Sequence, residues 1–285
     1  MPLPPPPSGY QPGYDFKPSQ WQRGRPLPLR PRGVGEIIDA SIHLYRLNWK
    51  PLMTLAAVVL VPFEVLNRYV VHAQARQFIA NGQLFNQRSV LGVSYAFFFL
   101  STLLVTPLLR GAMVRAVAGA YLGEEPDWKA SLRFALKKLG WLLLALFLSG
   151  AAILAGFIVL VIPGLFLYVG FTFVTIAVIV EGKRGTGALG RSLRLSVKRF
   201  FPILGTLLLA GLVSGIATFI LVIPSAILSA FPLLGTQTWI LQAALSAIAA
   251  VVVAPFGAIV PVLLYFDCRI RSEGFDIAIM AQEVA

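Results

Sequence analysis

Three polar residues lie together in an otherwise apolar stretch, and they are the first candidates for chemistry. Glu64, Asn67 and Arg68 fall within residues 52–71, where nearly every neighbour is hydrophobic. A charge in such surroundings is a functional candidate by default. Glu64 and Arg68 are also four residues apart, on one face of a helix, and can neutralise each other. The spacing favours a structural ion pair, and a substrate or proton site is the alternative.

The other residue types used in catalysis are too few, or too far apart, to form a site. The two histidines, His43 and His72, are expected at opposite ends of the first long apolar helix, so they cannot share a metal or form a dyad. The chain carries no Gly-rich phosphate loop with Lys-Ser/Thr and no Gly-x-Ser-x-Gly. We therefore predict no catalytic, cofactor-binding or metal-binding residue, and a protein that is not an enzyme.

The composition predicts an all-α integral membrane protein. Hydrophobic residues make up 57% of the 285 residues and charged residues 13%, about half the usual charged share. The apolar runs are continuous rather than alternating, which favours helices over strands. A membrane-crossing helix needs about 20 apolar residues. Six spans meet this requirement, at about 52–71, 91–109, 139–161, 162–180, 201–223 and 239–266.

The distribution of cations predicts the orientation. Of the 24 Lys and Arg residues, 21 lie before the first span, in residues 110–138 and 183–199, or after the last span. The positive-inside rule then places both termini in the cytoplasm of a bacterial plasma membrane. The net charge of +12 could suggest nucleic acid. Because the cations cluster beside apolar spans, anionic lipid headgroups are the favoured partners and nucleic acid is not expected.

The predicted domain organisation is a membrane domain between two tails. Residues 1–32 are rich in proline and carry five cations, a composition typical of a disordered cytoplasmic tail. This tail is a plain tether or a ligand for a protein partner. Residues 33–280 form the membrane domain, and 281–285 a short C-terminal tail. Residues 224–238 are an outer loop or a re-entrant segment, and the oligomeric state is left open.

A repeated unit organises the membrane domain. Residues 131–163 and 192–224 share a pattern at an offset of 61 residues, and a weaker copy begins at Ser41. Each unit combines a cytoplasmic amphipathic helix, at about 34–48, 127–139 or 188–200, with a pair of spans. The cations of the second and third amphipathic helices are candidate anionic-lipid contacts: Lys129, Arg133, Lys137, Lys138, Arg191, Arg194, Lys198 and Arg199.

Small residues in the spans predict sites of close helix contact. Gly211 and Gly215 form a Gly-x-x-x-Gly motif in the fifth span, and Gly150 is the repeat equivalent of Gly211. Small residues allow helix backbones to approach each other in lipid. Packing within the chain is the favoured interpretation of these glycines, and contact between two copies is the alternative.

Motifs at both ends of the membrane domain resemble a known group of proteins. One is Gly-Val-Gly-Glu-Ile-Ile-Asp-Ala-Ser at 33–41 with Leu-Tyr-Arg-Leu-Asn-Trp at 44–49; the other is Tyr-Phe-Asp-Cys-Arg-Ile-Arg-Ser-Glu-Gly-Phe-Asp at 265–276. Together they resemble uncharacterised membrane proteins, common in actinobacteria, that are often labelled as the membrane domain of glycerophosphoryl diester phosphodiesterase. The resemblance covers about 33–280. It implies a membrane module without the catalytic barrel and transfers no catalytic residue.

Three functional hypotheses follow from these observations. The favoured one is a non-enzymatic scaffold, or a lipid-associated protein of the cell envelope. The second is a component of a transporter for a small or amphiphilic substrate, with Glu64 on the path. A membrane-embedded lipid enzyme is the third.

Overall fold

The structure, a computed structural model, describes residues 31–80, 87–230 and 238–273. Within these ranges the chain forms nine helices and no strand. Six helical segments are long and apolar enough to cross a membrane. The all-α class and the number of long apolar segments that the sequence predicts are therefore confirmed. Of the predicted tail 1–32, residues 1–30 lie outside the described residues. Residues 274–285 also lie outside them.

The helices follow one another with short connections. The bounds are α1 Val34–Leu47, α2 Trp49–Ala80, α3 Gln87–Tyr121, α4 Trp128–Val159, α5 Val161–Gly170, α6 Val174–Val180, α7 Thr186–Val197, α8 Phe200–Ala230 and α9 Thr238–Glu273. Helix α8 continues through Pro224 to Ala230. The first part of the segment 224–238 is thus helical, and residues 231–237 lie outside the described part.

The predicted interfacial helices have different outcomes. Those at 34–48 and 188–200 correspond to the separate helices α1 and α7. The one at 127–139 is wrong as a separate element, because α4 runs unbroken through the amphipathic segment and the following span. Asp127 caps this helix by accepting a hydrogen bond of 2.8 Å from the Lys129 amide. At 1.5 Å per residue, its 32 residues extend about 48 Å.

The predicted fourth span, 162–180, is divided into two helices. Helix α5 begins just after Leu160, and Pro163 is its third residue. A backbone N–H at this position would have no acceptor within the helix, so the missing proline N–H costs no hydrogen bond. It ends at Gly170, and a turn over residues 171–173 leads into α6. The turn between α4 and α5 is tight: a Cβ on Gly156 would lie 3.0 Å from the Gly164 Cα. The absence of side chains at these two glycines lets the helix backbones meet.

Helix α9 is the centre of the packing. It packs against α8, α2, α3 and α1, while α6 is enclosed by α3, α4 and α7. The largest buried side chains gather near the C-terminal ends of α3 and α9, where Tyr121 stacks on Phe266 with ring centroids 4.7 Å apart. Phe173 meets the edge of Tyr265 at 5.7 Å. The aromatic core therefore lies at the end of the bundle that carries most of the charged residues.

Candidate functional site

Five polar side chains from three elements meet at this end of the bundle. Glu181 follows the last residue of α6, and Arg191 lies in the middle of α7. Tyr265, Arg269 and Glu273 are spaced four residues apart near the end of α9, which puts them on one face of that helix. We call these five residues the inner polar cluster.

Arg191 is the centre of the inner polar cluster. Its Nε donates hydrogen bonds of 2.8 Å to both carboxylate oxygens of Glu181. Its Nη2 donates to Glu273 Oε2 at 2.9 Å, and its Nη1 donates to the other oxygen of the same carboxylate. The hydroxyl of Tyr265 donates to Glu181 Oε1, and Arg269 Nε donates to Glu273 Oε2 at 3.0 Å. One guanidinium thus joins α7 to the end of α6 and to α9.

The electrostatics of the cluster keep its charges fixed. Burial acts to raise the pKa of Glu181, but hydrogen bonds from Arg191 and Tyr265 and the charges of Arg191 and Arg269 outweigh it, so this pKa lies below its ordinary value. The hydrogen bond to Glu273 and the charge of Glu181 raise the pKa of Arg191. Groups with such pKa values stay ionised near neutral pH and are poorly matched to acid–base catalysis. The arrangement suits a permanent ionic link.

A second group of contacts fixes the chain at Arg32, the last residue of the proline-rich segment. The Arg32 amide donates a hydrogen bond of 2.7 Å to Asp267 Oδ1, and Arg271 Nη2 donates to the Arg32 carbonyl at 2.9 Å. Arg271 also pairs with Asp267 at 3.0 Å, and the Arg32 guanidinium lies 5.7 Å from the centre of the Tyr121 ring. We call Arg32, Asp267 and Arg271 the tail clamp. It holds residue 32 against α9 and α3.

Local structure explains why α7 packs where it does. The Ser192 hydroxyl donates to the Gly170 carbonyl at 2.6 Å and accepts from the Phe173 amide at 3.1 Å. Ser196 donates to the Ser192 carbonyl at 2.9 Å and to the Gly170 carbonyl at 3.3 Å. Both serines are buried. They supply partners for backbone groups that the turn between α5 and α6 leaves outside a helix.

The predicted lipid-binding cations fall into two groups. Arg191 is wrong as a lipid contact, because its side chain is 14% exposed and bound to two carboxylates. Arg199 lies 3.5 Å from Asp267 Oδ2 and is also engaged within the protein. The remaining cations have no carboxylate within ion-pairing distance among the described residues. Lys138 is half-buried, and the other five are exposed: Lys129, Arg133, Lys137, Arg194 and Lys198.

The polar residues of α2 do not form the expected ion pair. In the described part of the chain, no salt bridge joins Glu64 to Arg68. Glu64 instead accepts a long hydrogen bond of 3.5 Å from Ser246 on α9. Glu64, Asn67 and Arg68 are all half-buried. The helix therefore turns Glu64 towards α9, and the neutralisation predicted from the spacing is wrong.

The favoured interpretation of the glycines, packing within the chain, is wrong as well. Gly150, Gly211 and Gly215 are exposed, and a Cβ on any of them would meet nothing within 4 Å inside the chain. Helix α8 turns its buried positions, Ile203 and Ala210 among them, away from the glycine face. Close contacts occur at other glycines, where an added Cβ would collide with a neighbouring side chain: Gly111, Gly164 and Gly170. The structure thus leaves the motif free for contact outside the chain.

Sequence analysis missed Glu181, Tyr265 and the serines of α7. A signal for Glu181 existed, since it is the sole carboxylate among the cations of residues 181–199. The regular spacing of Tyr265, Arg269 and Glu273 was also visible, but four-residue spacing indicates contacts within one helix, such as the ion pair between Arg269 and Glu273. The link to α7 has no sequence signal, because 82 residues separate Arg191 from Glu273.

Comparison with known families identifies the family of this chain. A domain of unknown function, DUF7847, matches residues 91–267, more than half of the chain. The chain belongs to this family. The DUF7847 region extends from α3 into α9, so it includes Glu181, Arg191 and Tyr265 of the inner polar cluster and Asp267 of the tail clamp. No curated protein and no solved structure shows significant similarity to the chain.

Proposed function

We propose that this DUF7847 protein is a non-enzymatic, multi-pass protein of the bacterial plasma membrane that binds anionic lipids at its cytoplasmic face. Both termini lie in the cytoplasm in this proposal. The observation that carries it is the division of the cations into internally paired and exposed ones. Lys129, Arg133 and Lys137 are exposed along the start of α4, without a carboxylate partner in the described part of the chain. We call these three residues the α4 cation stripe.

The energetics favour lipid as the partner of these cations. The six long apolar helices show many large hydrophobic side chains on their outer surfaces, such as Phe147, Ile158 and Phe219. Hydrocarbon is the solvent in which such surfaces are stable. A cation beside an anionic leaflet gains about 1 kcal/mol. The α4 cation stripe, with Arg194 and Lys198 on α7, would supply several such contributions.

The fixed charges of the inner polar cluster support a non-enzymatic role. Glu181 and Glu273 each bind Arg191, which leaves neither carboxylate available as a general base. The cluster and the tail clamp instead make a rigid inner end, on which a lipid-binding surface can be displayed. In this proposal the tail emerges from Arg32 beside that surface, where it can recruit a protein partner.

The repeated unit and the family resemblance are part of the same proposal. The serines aligned at the start of the three units, Ser41, Ser131 and Ser192, are all buried. This burial supports a common packing role for the amphipathic segments that contain them. The resemblance to the membrane domain of glycerophosphoryl diester phosphodiesterase stays a prediction, and it fits a lipid-associated module of the cell envelope.

Lipid retention tests the proposal directly. The protein is placed in nanodiscs containing phosphatidylglycerol and phosphatidylcholine, and the lipids nearest to it are quantified after purification. Changing Lys129, Arg133, Lys137 and Lys138 to Gln should lower the enrichment of phosphatidylglycerol. A control that exchanges Lys and Arg at the same four positions keeps every charge and should keep the enrichment. Equal enrichment in the Gln variant and the wild type would reject anionic-lipid binding.

One observation favours transport as a second candidate. Glu64 is an ionisable group within a long apolar helix, and its carboxylate faces Ser246 of the neighbouring α9. Carboxylates at such positions commonly bind cations or protons. Glu64→Gln should leave a lipid-binding scaffold unchanged and impair a proton- or cation-coupled transporter. Growth of a strain that carries the variant, with its folding verified, separates the two functions.

A further inference from the structure

An apolar groove runs between helices α2, α3 and α4. Nine hydrophobic side chains line it, and its volume is about 310 Å³. The α2 wall extends from Val58 to Leu66, about 12 Å along the helix axis at 1.5 Å per residue. Leu108 of α3 contributes to the lining, and Leu132 and Leu136 of α4 do so as well. A groove of this length and character fits part of an acyl chain and offers nothing to a polar ligand.

The α4 cation stripe lies beside one wall of this groove. Lys129 precedes Leu132 by three residues and Leu136 by seven, spacings that put all three on one face of α4. Arg133 precedes Leu136 by three residues and lies on the adjoining face. Both cations are exposed. The groove therefore has an apolar body and a cationic border in the first turns of α4.

The nearby carboxylates leave this border positively charged. Asp127, which caps α4 by accepting the Lys129 amide hydrogen at 2.8 Å, and Glu125 are two carboxylates against the four cations of residues 125–138, so this segment keeps a positive net charge. Glu124 lies 3.7 Å from Arg115 of α3. With 12 acidic residues against 24 Lys and Arg, and with Glu181 and Glu273 already bound to Arg191, a second copy of the chain is poorly equipped to neutralise the border. A phospholipid phosphate supplies the missing negative charge.

We infer that the groove binds one acyl chain of an anionic phospholipid whose phosphate contacts Lys129 and Arg133. This inference rests on the proposed function and deepens it, since it turns a general affinity for an anionic leaflet into one defined lipid site. The apolar lining holds the chain, and the cationic border selects the headgroup. Zwitterionic lipids lack the net charge that the border requires and bind less tightly.

The test separates the headgroup contact from the acyl-chain contact. Phosphatidylglycerol or phosphatidylcholine is added to the full chain in a neutral detergent, and bound lipids are counted by native mass spectrometry. Lys129→Gln with Arg133→Gln removes the headgroup contacts. Leu136→Trp and, separately, Val58→Trp fill the groove. Both positions are partly exposed, so we expect the two variants to fold, and circular dichroism and gel filtration check this.

Matched controls place the same changes elsewhere. Lys183→Gln with Arg184→Gln removes two exposed cations from the connection between α6 and α7, and Leu212→Trp adds the same bulk to an exposed position of α8. Neither control touches the groove. Both should retain the tightly bound lipid with wild-type affinity.

The expected result is one phosphatidylglycerol bound to the wild type at least tenfold more tightly than phosphatidylcholine. Loss of the two α4 cations should weaken it by about 10- to 30-fold. Either groove-filling variant should abolish it, while general enrichment of anionic lipid in nanodiscs persists. If the folded groove-filling variants keep the bound lipid, or if phosphatidylcholine binds as well, the groove site is refuted and the proposed function stands. If the variant with Gln at all four positions 129, 133, 137 and 138 also keeps full phosphatidylglycerol enrichment in nanodiscs, both proposals fail.

Discussion

Arg191→Met offers the sharpest test of how the end of the bundle with the inner polar cluster is held together. The substitution keeps most of the side-chain volume but removes the cation shared by Glu181 and Glu273. Removing one partner of a fully buried ion pair costs about 3–5 kcal/mol, because the remaining charge is left uncompensated, whereas an exposed pair contributes about 1 kcal/mol or less. The Arg191 pairs lie between these limits, since the Glu181 side chain is 14% exposed and the Glu273 side chain 31%. Arg269 stays 3.0 Å from Glu273 and 4.0 Å from Glu181, so part of the compensation survives. We therefore expect a loss of about 2 kcal/mol in the free energy of unfolding.

The assay is reversible unfolding in mixed micelles of denaturing and neutral detergent, followed by tryptophan fluorescence. Arg194→Met is the matched control, since Arg194 is an exposed cation three residues further along α7. Its effect should stay within about 0.5 kcal/mol. If the two variants lose equal stability, the ionic link does not hold the helices together and the reasoning is refuted.

The effect of Arg191→Met on stability should depend on pH. Because the folded-state pKa of Glu181 is lowered, its contribution to stability is fully present above the ordinary carboxyl pKa of 4.5. That contribution is lost as the pH falls through the lowered folded-state value. The stability difference between wild type and Arg191→Met should therefore be largest at neutral pH and shrink in acid. A difference that stays constant into strong acid would show that Glu181 does not contribute through its charge.

Two further predictions concern packing and backbone contacts. Gly156→Ala should destabilise the protein by about 1–3 kcal/mol, because its Cβ would lie 3.0 Å from the Gly164 backbone, whereas Gly211→Ala should be neutral or slightly stabilising in the same unfolding assay. Equal effects of the two alanines would contradict the assigned helix faces. Ser192→Ala should cost about 1–3 kcal/mol and speed hydrogen exchange in the turn after Gly170, because the buried carbonyl and amide there lose their shared partner. Unchanged exchange in that turn would show that the hydroxyl does not hold it.

Helix ends were predictable only where the sequence carries a local signal. The start of α4 follows a capping Asp127, and the break after Val159 precedes a proline at the third position of α5. The turn at residues 171–173 lacks proline, and glycine occurs only just before it, so 162–180 read as one span. The backbone groups at this turn form hydrogen bonds with serines on α7, a helix that follows later in the chain. The break depends on that tertiary contact.

Helix rotation explains the wrong predictions for the glycines and for Glu64. Hydropathy shows that a helix is apolar on every side, but it does not show which side faces a neighbour. For α8, the buried side contains Ile203 and Ala210, and Gly211 and Gly215 face outward. For α2, the neighbour α9 offers Ser246 to Glu64, and the contact within the helix is not made.

The sequence by itself determined the helical class, the six long apolar segments and the asymmetric distribution of cations. These properties are sums over neighbouring residues, so no knowledge of folding is needed to read them. The tertiary structure alone decided which cations remain exposed. Arg191 and Arg194 look alike in the sequence, yet Arg191 is enclosed by carboxylates from two other elements, and Arg194 is not. Pairing of that kind depends on how separate helices rotate and meet, and a linear pattern does not encode it locally.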